Sequence, residues 1–175
     1  MKNKVKLFIA SSLDGYIAAP DDDLSFLDVV YKEGEDYGYA AFLEEVDCVL
    51  LGRRTYGWLN SQGFLSYPGK RVIVITHQPH DERSGVEFYS GDLADLIVKL
   101  QEASGKHIFC DGGAGLIHSL LLEDLVDEMI ISVVPVLLGN GVALFSSGRP
   151  FTRLEHLQTR TFTTGLVQHH YKVLK

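Results

Sequence analysis

Twice in this sequence, an apolar strand pattern runs through glycine directly into a helix pattern. In residues 50–56, one glycine, two arginines and a threonine follow the strand. In residues 108–116, three glycines separate the strand from an apolar helix. A helix that begins at such a bend leaves backbone N–H groups unpaired, and its dipole attracts anions to them. The two stretches therefore predict phosphate-binding bends at the ends of two buried strands.

Buried strand patterns alternate with helix patterns along most of the chain, and strand patterns alone fill its last third. This order predicts one α/β domain over residues 1–175, with a mostly parallel sheet and an antiparallel C-terminal edge. The C-terminal ends of parallel strands share one rim of a sheet, so both glycine bends should meet there. The strand patterns occupy residues 5–10, 47–51, 71–76, 86–89, 107–110, 128–134, 153–161 and 166–175, and the helix patterns begin near residues 36, 55, 93 and 114.

Charge and composition exclude several classes of function. A net charge of −7 argues against binding to nucleic acid, which needs a surplus of Lys and Arg. No apolar run reaches the roughly 18 residues that would span a bilayer, and none near the N-terminus is long enough for a signal peptide. Cys48 and Cys110 lie in predicted buried strands, which predicts reduced thiols in a cytoplasmic protein. The histidines lack the spacing of a metal site, so no metal is expected.

The first glycine bend has two interpretations. Thr55 is either a helix cap beside two solvated arginines, or part of a phosphate site. In the second case Gly52 allows close approach, and Arg53 or Arg54 pairs with a further phosphate. The cluster at residues 111–115 is either a tight left-handed turn or the second half of the same site. It lacks the spacing of the common dinucleotide-binding fingerprint.

Two further segments border the predicted rim. Thr76 and His77 end a strand, and they either begin a polar loop or reach a ribose or its 2′-phosphate. Residues 12–18 follow the first strand. They form either a hydrogen-bonded aspartate turn or a lid, with Gly15 as its hinge and Ile17 packing on a flat ring.

Taken together, these segments resemble the dihydrofolate reductase-like superfamily, and within it the reductase domain of riboflavin biosynthesis (the RibD C-terminal type). The matching segments occur in the family's order and cover nearly the whole chain. They are Ser12-Leu13-Asp14-Gly15-x-Ile17-Ala18, Leu51-Gly52-Arg53-x-Thr55, Asp111-Gly112-Gly113 and Pro135-x-x-x-Gly139-x-Gly141-x-x-x-Phe145.

The resemblance implies a central mixed sheet flanked by helices, NADPH as the hydride donor, a homodimer, and a cis peptide bond between Gly112 and Gly113. It also implies which residues contact each part of the coenzyme. The implied contacts are Ala10, Gly15 and Ile17 at the nicotinamide; Gly52, Arg53, Arg54 and Thr55 at the adenosine side and diphosphate; Thr76 and His77 near the 2′-phosphate; and Gly112, Gly113, Ala114, Gly115 and Leu116 over the diphosphate.

The implied activity is hydride transfer to a small heterocycle or ribosylamine, as in 5-amino-6-(5-phosphoribosylamino)uracil reductase. Residues 56–59 differ from the Asp-Asp-Pro-x-Leu segment usual there, so pterin reduction and a non-catalytic NADPH-binding dimer remain alternatives. Hydride addition to a carbon–nitrogen double bond also needs a proton. Asp36 is the first candidate donor, Asp14 the second and water the third, and burial of either acid would raise its pKa.

Overall fold

The computed structural model describes residues 3–78, 85–103 and 105–175. Within these residues, strands and helices alternate as far as α4, and strands follow. The strands are β1 (Val5–Ser12), β2 (Tyr16–Ala18), β3 (Val46–Gly52), β4 (Arg71–Ile75), β5 (Glu87–Tyr89), β6 (His107–Cys110), β7 (Glu128–Val134), β8 (Val142–Ala143), β9 (Arg153–Thr161) and β10 (Val167–Leu174). The helices are α1 (Tyr39–Glu44), α2 (Arg53–Ser61), α3 (Leu93–Ala103) and α4 (Ala114–Leu122).

Eight strands form one sheet in the order β5-β4-β3-β6-β1-β7-β10-β9. The neighbours from β5 to β7 are all parallel. β10 runs antiparallel to β7, and β9 antiparallel to β10. The predicted α/β fold with a mixed, mostly parallel sheet and an antiparallel edge is therefore confirmed. Because β4, β3, β6 and β1 are consecutive neighbours, their C-terminal ends form one continuous rim.

Side chains of the central strands alternate between the two faces of the sheet, and each face buries its own apolar cluster. Leu7 belongs to the cluster beneath α3 and α4. Its neighbour Phe8 packs with Phe42 of α1, with ring centroids 4.9 Å apart. Phe109 of β6 is fully buried in the second cluster, between α1, α2 and the sheet. This two-sided burial explains the near-continuous apolar runs of the parallel strands.

Three features depart from the sequence pattern. β2 and β8 form a separate two-stranded antiparallel sheet beside the main one. A 3₁₀ turn, Pro20–Asp22, follows β2. α1 begins three residues later than the expected start near Asp36, because Tyr37 and Gly38 have φ angles of 57° and 85°. Such left-handed residues cannot continue a right-handed helix.

Both cysteines, Cys48 and Cys110, are free and buried, as predicted. Burial raises the pKa of each thiol to about 12, so neither is a reactive thiolate near neutral pH. In the part of the chain that the structure describes, no helix has the length and apolar character needed to cross a membrane. Nor do any three His, Cys, Asp or Glu side chains in that part gather in the way a metal ion needs.

Candidate coenzyme and active site

The two predicted glycine bends meet at the C-terminal rim of the sheet. The Gly52 N–H donates to the Gly112 carbonyl at 2.8 Å, and the Asp111 N–H donates to the Leu50 carbonyl at 3.1 Å. A Cβ added to Gly52 would lie 3.5 Å from both Gly112 O and Gly113 N. The predicted convergence is therefore confirmed. The Gly52 amide itself is used by this contact, so the amides available to a ligand are those of the helix starts.

Both bends lead into nine-residue helices that have no side-chain cap among the described residues. Gly52 is the N-cap of α2 and Gly113 the N-cap of α4. A helix without such a cap leaves its first amides for solvent or a ligand, and its dipole favours an anion there. The peptide bond between Gly112 and Gly113 is cis, as the resemblance implies. Two anion-attracting helix starts thus lie side by side.

Side chains of Thr55 and Leu116 pack closely around the two glycine bends. A Cβ on Gly113 would lie 2.9 Å from the Thr55 hydroxyl oxygen, so only glycine fits there without a shift. Leu116 is buried in the first apolar cluster, and its Cβ lies 3.7 Å from a Cβ added to Gly52. Leu116 therefore supports the bend from below. Ala114 is half-buried and Gly115 exposed at the start of α4.

A groove of about 570 Å³ continues from the start of α2. Arg53 and Arg54 line it on one side, and Asp22 and Gln78 also reach it. The volume is within the range of small-molecule sites. Trp58 and Ser61, one and two turns into α2, complete its polar and aromatic lining. The groove therefore brings two cations, an aromatic ring and polar side chains together beside the start of α2.

Thr76 and His77 follow β4 at the same rim, and they differ in exposure. Thr76 is 6% exposed, and its hydroxyl oxygen accepts a hydrogen bond from the Gln78 N–H at 3.1 Å. His77 is exposed and does not line the groove. Thr76 therefore fixes the backbone of this segment, and Gln78 is the residue of the segment that lines the groove.

The loop after β1 is held by hydrogen bonds. Asp14 accepts from the Ser12 hydroxyl at 2.5 Å and from the backbone N–H groups of Leu138 and Gly139 at 3.1 and 2.7 Å. The Ser12 hydroxyl bond is the main reason that the pKa of Asp14 lies below its ordinary value. Gly15 has a φ of 88°. The loop has the predicted form of an aspartate turn with glycine in the left-handed region.

The nicotinamide-side candidates from the resemblance lie on the strands next to this loop. Ala10 is half-buried on β1, opposite Ser132 of β7, and packs against the cluster of Phe26 and Val134. Ile17 lies on β2 and packs against the first apolar cluster. Ala10 is near the C-terminal end of β1, whereas Ile17 belongs to the separate β2–β8 sheet.

Asp36, the first candidate proton donor, is exposed, and its side chain stabilises the turn before α1. Its carboxylate accepts from the backbone N–H groups of Gly38 and Ala40 at 2.8 and 2.9 Å. These bonds, that from Ala40 first, lower the pKa of Asp36. Neither Asp36 nor Asp14 has the burial that would raise its pKa, so both carboxylates are ionised near neutral pH. Their role as proton donors stays a prediction.

A third carboxyl group at the rim, that of Asp111, has the opposite behaviour. Asp111 directly follows β6, and its Oδ2 accepts a hydrogen bond from the Tyr67 hydroxyl. Burial of the carboxyl group raises the pKa of Asp111 to about 6, although the Tyr67 hydrogen bond acts against this shift. Burial, and then the Asp111 charge, also raises the pKa of Tyr67 and of Tyr39. Asp111 therefore exchanges a proton close to neutral pH beside two tyrosines that keep theirs.

Sequence reasoning included Asp111 in the glycine cluster but not among the acids. The available signal was an acidic residue directly between the apolar residues 108–110 and two glycines. Its burial depends on Tyr67, which comes from the loop between α2 and β4 and is 44 residues away in the chain.

Comparison with known proteins agrees with this fold. The family model of the RibD C-terminal domain matches residues 3–168. The Bacillus subtilis (strain 168) protein YwjB, whose function is uncharacterized, is 37% identical over 98% of both chains. The crystal structure of a putative riboflavin biosynthesis protein from Shewanella sp. PV-4 is 32% identical, with 98% of this chain and 99% of that chain covered, and superposes with a TM-score of 0.89.

Dihydrofolate reductase from Enterococcus faecalis, in a complex with NADP(H), shares the fold. Its TM-score is 0.71, at 14% identity and with complete coverage of both chains. At this identity the likeness concerns the fold alone. The chain therefore has the dihydrofolate reductase-like fold that the resemblance implies.

Proposed function

We propose that this chain, which belongs to the RibD C-terminal domain family, is an NADPH-dependent reductase of a small heterocyclic or ribosylamine substrate. The activity would resemble that of 5-amino-6-(5-phosphoribosylamino)uracil reductase. One observation carries the proposal: two uncapped helix starts meet at one rim, joined by the Gly52–Gly112 hydrogen bond, with two arginines beside them. This set of donors fits a diphosphate that is followed by one more phosphate.

Different residues at the rim would bind different parts of such a coenzyme. The backbone amides at the starts of α2 and α4 would hold the diphosphate, because they point outward without a side-chain cap. Arg53 and Arg54 would hold the 2′-phosphate through charge-assisted hydrogen bonds, and Trp58 lines the same groove. When bound, NADPH supplies a hydride.

Asp111 is our proposed proton-holding group. Its carboxyl group is enclosed beside the bend, and its pKa of about 6 makes both protonation states accessible near neutral pH. Because the Tyr67 hydroxyl donates to Oδ2, a proton on the Asp111 carboxyl group would be held at Oδ1. Asp36 and Asp14 remain alternatives, but their carboxylates already accept backbone hydrogen bonds and are exposed.

Turnover tests the activity directly. Purified protein is mixed with NADPH and with each of a panel of aminopyrimidines, their ribosylamines and pterins, and loss of NADPH absorbance is followed. Steady oxidation with an aminopyrimidine or ribosylamine is the expected result. Oxidation with pterins alone would favour dihydrofolate reductase-like activity. Tight NADPH binding without turnover on any compound would favour a non-catalytic NADPH-binding protein.

The choice of coenzyme is tested separately. The double variant Arg53→Ala with Arg54→Ala should bind NADPH at least about tenfold more weakly, because charge-assisted bonds to the extra phosphate are lost. Binding of NADH should change much less. Equal weakening of both coenzymes would contradict the assignment of the 2′-phosphate to these arginines.

We also propose a homodimer, as the family resemblance implies. All nine residues of the edge strand β9 are exposed, and Leu154 and Leu157 expose 42% and 44% of their surface. A long exposed edge strand offers unpaired backbone groups to a second chain. Light scattering at micromolar concentration should therefore give twice the mass of one chain, and a monomer would contradict the proposal.

The two cysteines support a reducing compartment, and we propose the cytoplasm. Cys48 and Cys110 are both free and buried, although they lie on neighbouring strands, β3 and β6. Proteins of oxidising compartments commonly use their cysteines in disulfides. Localisation of a tagged full-length chain tests this expectation, and an extracellular or membrane-bound pool would contradict it.

A further inference from the structure

Asp22 and Arg54 form a bidentate ion pair in the groove. Arg54 Nε donates to Asp22 Oδ2 at 2.9 Å, and Arg54 Nη2 lies 2.8 Å from Oδ1. The Arg54 side chain is 72% exposed and that of Asp22 is 33% exposed. A guanidinium binds phosphate through the same kind of paired N–H edge. Asp22 and a phosphate therefore compete for one edge of Arg54.

The chain holds Asp22 in this place through an unusual backbone. Asp21 and Asp22 have φ angles of 62° and 58°, in the left-handed region that residues with side chains seldom adopt. The turn is closed by hydrogen bonds from the Ala19 N–H to the Asp23 carbonyl at 2.9 Å and from the Asp23 N–H to the Pro20 carbonyl at 3.4 Å. Strained residues of this kind persist where the surrounding structure fixes them, often at ligand sites.

The pair also changes the charge that the groove presents. Among the residues that the structure describes, three charged ones line the groove: Asp22, Arg53 and Arg54. Asp22 neutralises Arg54, so the three together carry a single positive charge. The carboxylate also stands close to the position that a phosphate on Arg54 would occupy, and like charges at that distance repel.

We propose that Asp22 is a specificity-determining residue, which weakens binding of the 2′-phosphate by competing for Arg54 and so sets how strongly this chain prefers NADPH over NADH. The inference rests on the proposed coenzyme. It differs from a purely supporting role for the ion pair, in which Asp22 orients Arg54 toward the phosphate. The two roles predict opposite effects when the Asp22 charge is removed.

The test compares Asp22→Asn with the matched control Asp21→Asn. Both variants remove one negative charge from the same turn, and asparagine tolerates the left-handed backbone. Asp21 does not line the groove, whereas Asp22 does. Trp58, the single tryptophan of the chain, lines the groove and reports binding by its fluorescence. The probes are adenosine 2′,5′-bisphosphate and adenosine 5′-monophosphate, which differ in the 2′-phosphate.

The Asp22→Asn variant should bind adenosine 2′,5′-bisphosphate about tenfold more tightly than the wild type, as expected for one gained charge-assisted bond. Binding of the 5′-monophosphate should change by less than about twofold, since Arg54 gains no new partner there. Adding Arg54→Ala to Asp22→Asn should remove most of the gain. Asp21→Asn should leave both affinities near those of the wild type.

Unchanged or weaker binding of the bisphosphate by Asp22→Asn would overturn this inference, and so would an equal gain in Asp21→Asn. The proposed function survives that result provided the wild type binds NADPH. If neither the wild type nor Asp22→Asn binds NADPH or the bisphosphate, the proposed coenzyme and this inference are both overturned.

Discussion

Two carboxyl groups at opposite ends of the sheet, the half-buried Asp111 and the buried Glu128, have pKa values that are shifted in opposite directions. Asp111 follows the C-terminal end of β6, and Glu128 begins β7, which runs parallel to β6 across β1. Burial raises the pKa of Asp111 to about 6, whereas the pKa of Glu128 is lowered to about 2. Both groups lose hydration, so burial alone cannot explain the difference.

The partners of Glu128 supply the explanation. Its residue is 5% exposed, and burial by itself would raise its pKa. Lys4 Nζ lies 2.5 Å from one carboxylate oxygen, and Lys6 Nζ and His170 Nε2 lie 3.3 and 3.1 Å from the other. These partners outweigh the loss of hydration. Asp111 has a hydroxyl partner instead, and a hydroxyl compensates much less of the cost of a buried charge.

If Asp111 is the proton-holding group that we propose, stability and chemistry are served by carboxyl groups at opposite ends of one sheet. At the N-terminal end of β7, cations fix a permanent negative charge that holds β1 and β7 together. At the C-terminal end of β6, Asp111 accepts its hydrogen bond from a neutral hydroxyl and not from a cation. Its pKa therefore stays raised, and the carboxyl group can gain or lose a proton. Four predictions sharpen or break this contrast.

The largest effect is expected from Asp111→Asn. Asparagine has nearly the same size and still accepts from Tyr67, but it cannot hold the exchangeable proton. Turnover should fall by about 10² to 10⁴, the usual contribution of a general acid or base, with little change in melting temperature. Tyr67→Phe is the control and should cost much less turnover. Unchanged turnover in Asp111→Asn would remove Asp111 from the chemistry.

Glu128→Gln should act on stability instead. It removes the buried counter-charge of Lys6, which is 7% exposed, and leaves Lys6 paired with Glu45 at 3.0 Å, whose side chain is 59% exposed. The free energy of unfolding should fall by about 3 kcal/mol in chemical denaturation, as for other broken buried ion pairs. Turnover of the folded fraction should stay near that of the wild type. The matched control is Glu155→Gln, whose exposed pair with Lys172 should contribute less than about 1 kcal/mol.

The stability from Glu128 has a defined pH window. Its folded pKa of about 2 lies below the ordinary value of 4.5, so the contribution is complete above pH 4.5 and is lost as the pH falls through about 2. The difference between wild type and Glu128→Gln should therefore shrink in acid. A difference that does not depend on pH would show that packing, not charge, causes the loss.

The smallest effect is the pH dependence of turnover. If protonated Asp111 is required, kcat/KM should be level below its pKa of about 6 and should fall as the pH rises above that value. The fall should approach about tenfold per pH unit for a single proton. Asp111→Asn should lack this dependence. A wild-type profile that stays level up to pH 8 would contradict the acid role of Asp111.

The sequence patterns predicted most of the central fold, because continuous apolar runs have few other solutions. The bounds of β6, β7 and β9 and the starts of α3 and α4 agree with the predicted ones. The β2–β8 pair was not predicted, since Tyr16 pairs with Ala143 far along the chain and each strand is very short. The start of α1 was misplaced because the Asp36 side chain caps a turn that contains two left-handed residues.

Within the site, the glycine bends were predictable from the sequence, but the side-chain partners that come from distant segments were not. The bends at Gly52 and Gly113 were predictable, because a glycine between a strand and a helix marks a helix start with unpaired backbone N–H groups. The roles that we propose for Asp111 and Arg54 depend on their contacts with Tyr67 and Asp22, and these contacts are visible only in the structure. Both partners lie in irregular segments, whose side-chain placement has no periodic signal in the sequence.

A crystal structure of the wild-type chain with NADP⁺ tests the central claim most directly. The diphosphate should lie between the starts of α2 and α4, within about 2.7–3.2 Å of backbone N–H groups from both helices. A diphosphate that contacts only one of the two helix starts, or that lies elsewhere on the molecule, would contradict the claim that the two glycine bends form a single coenzyme site.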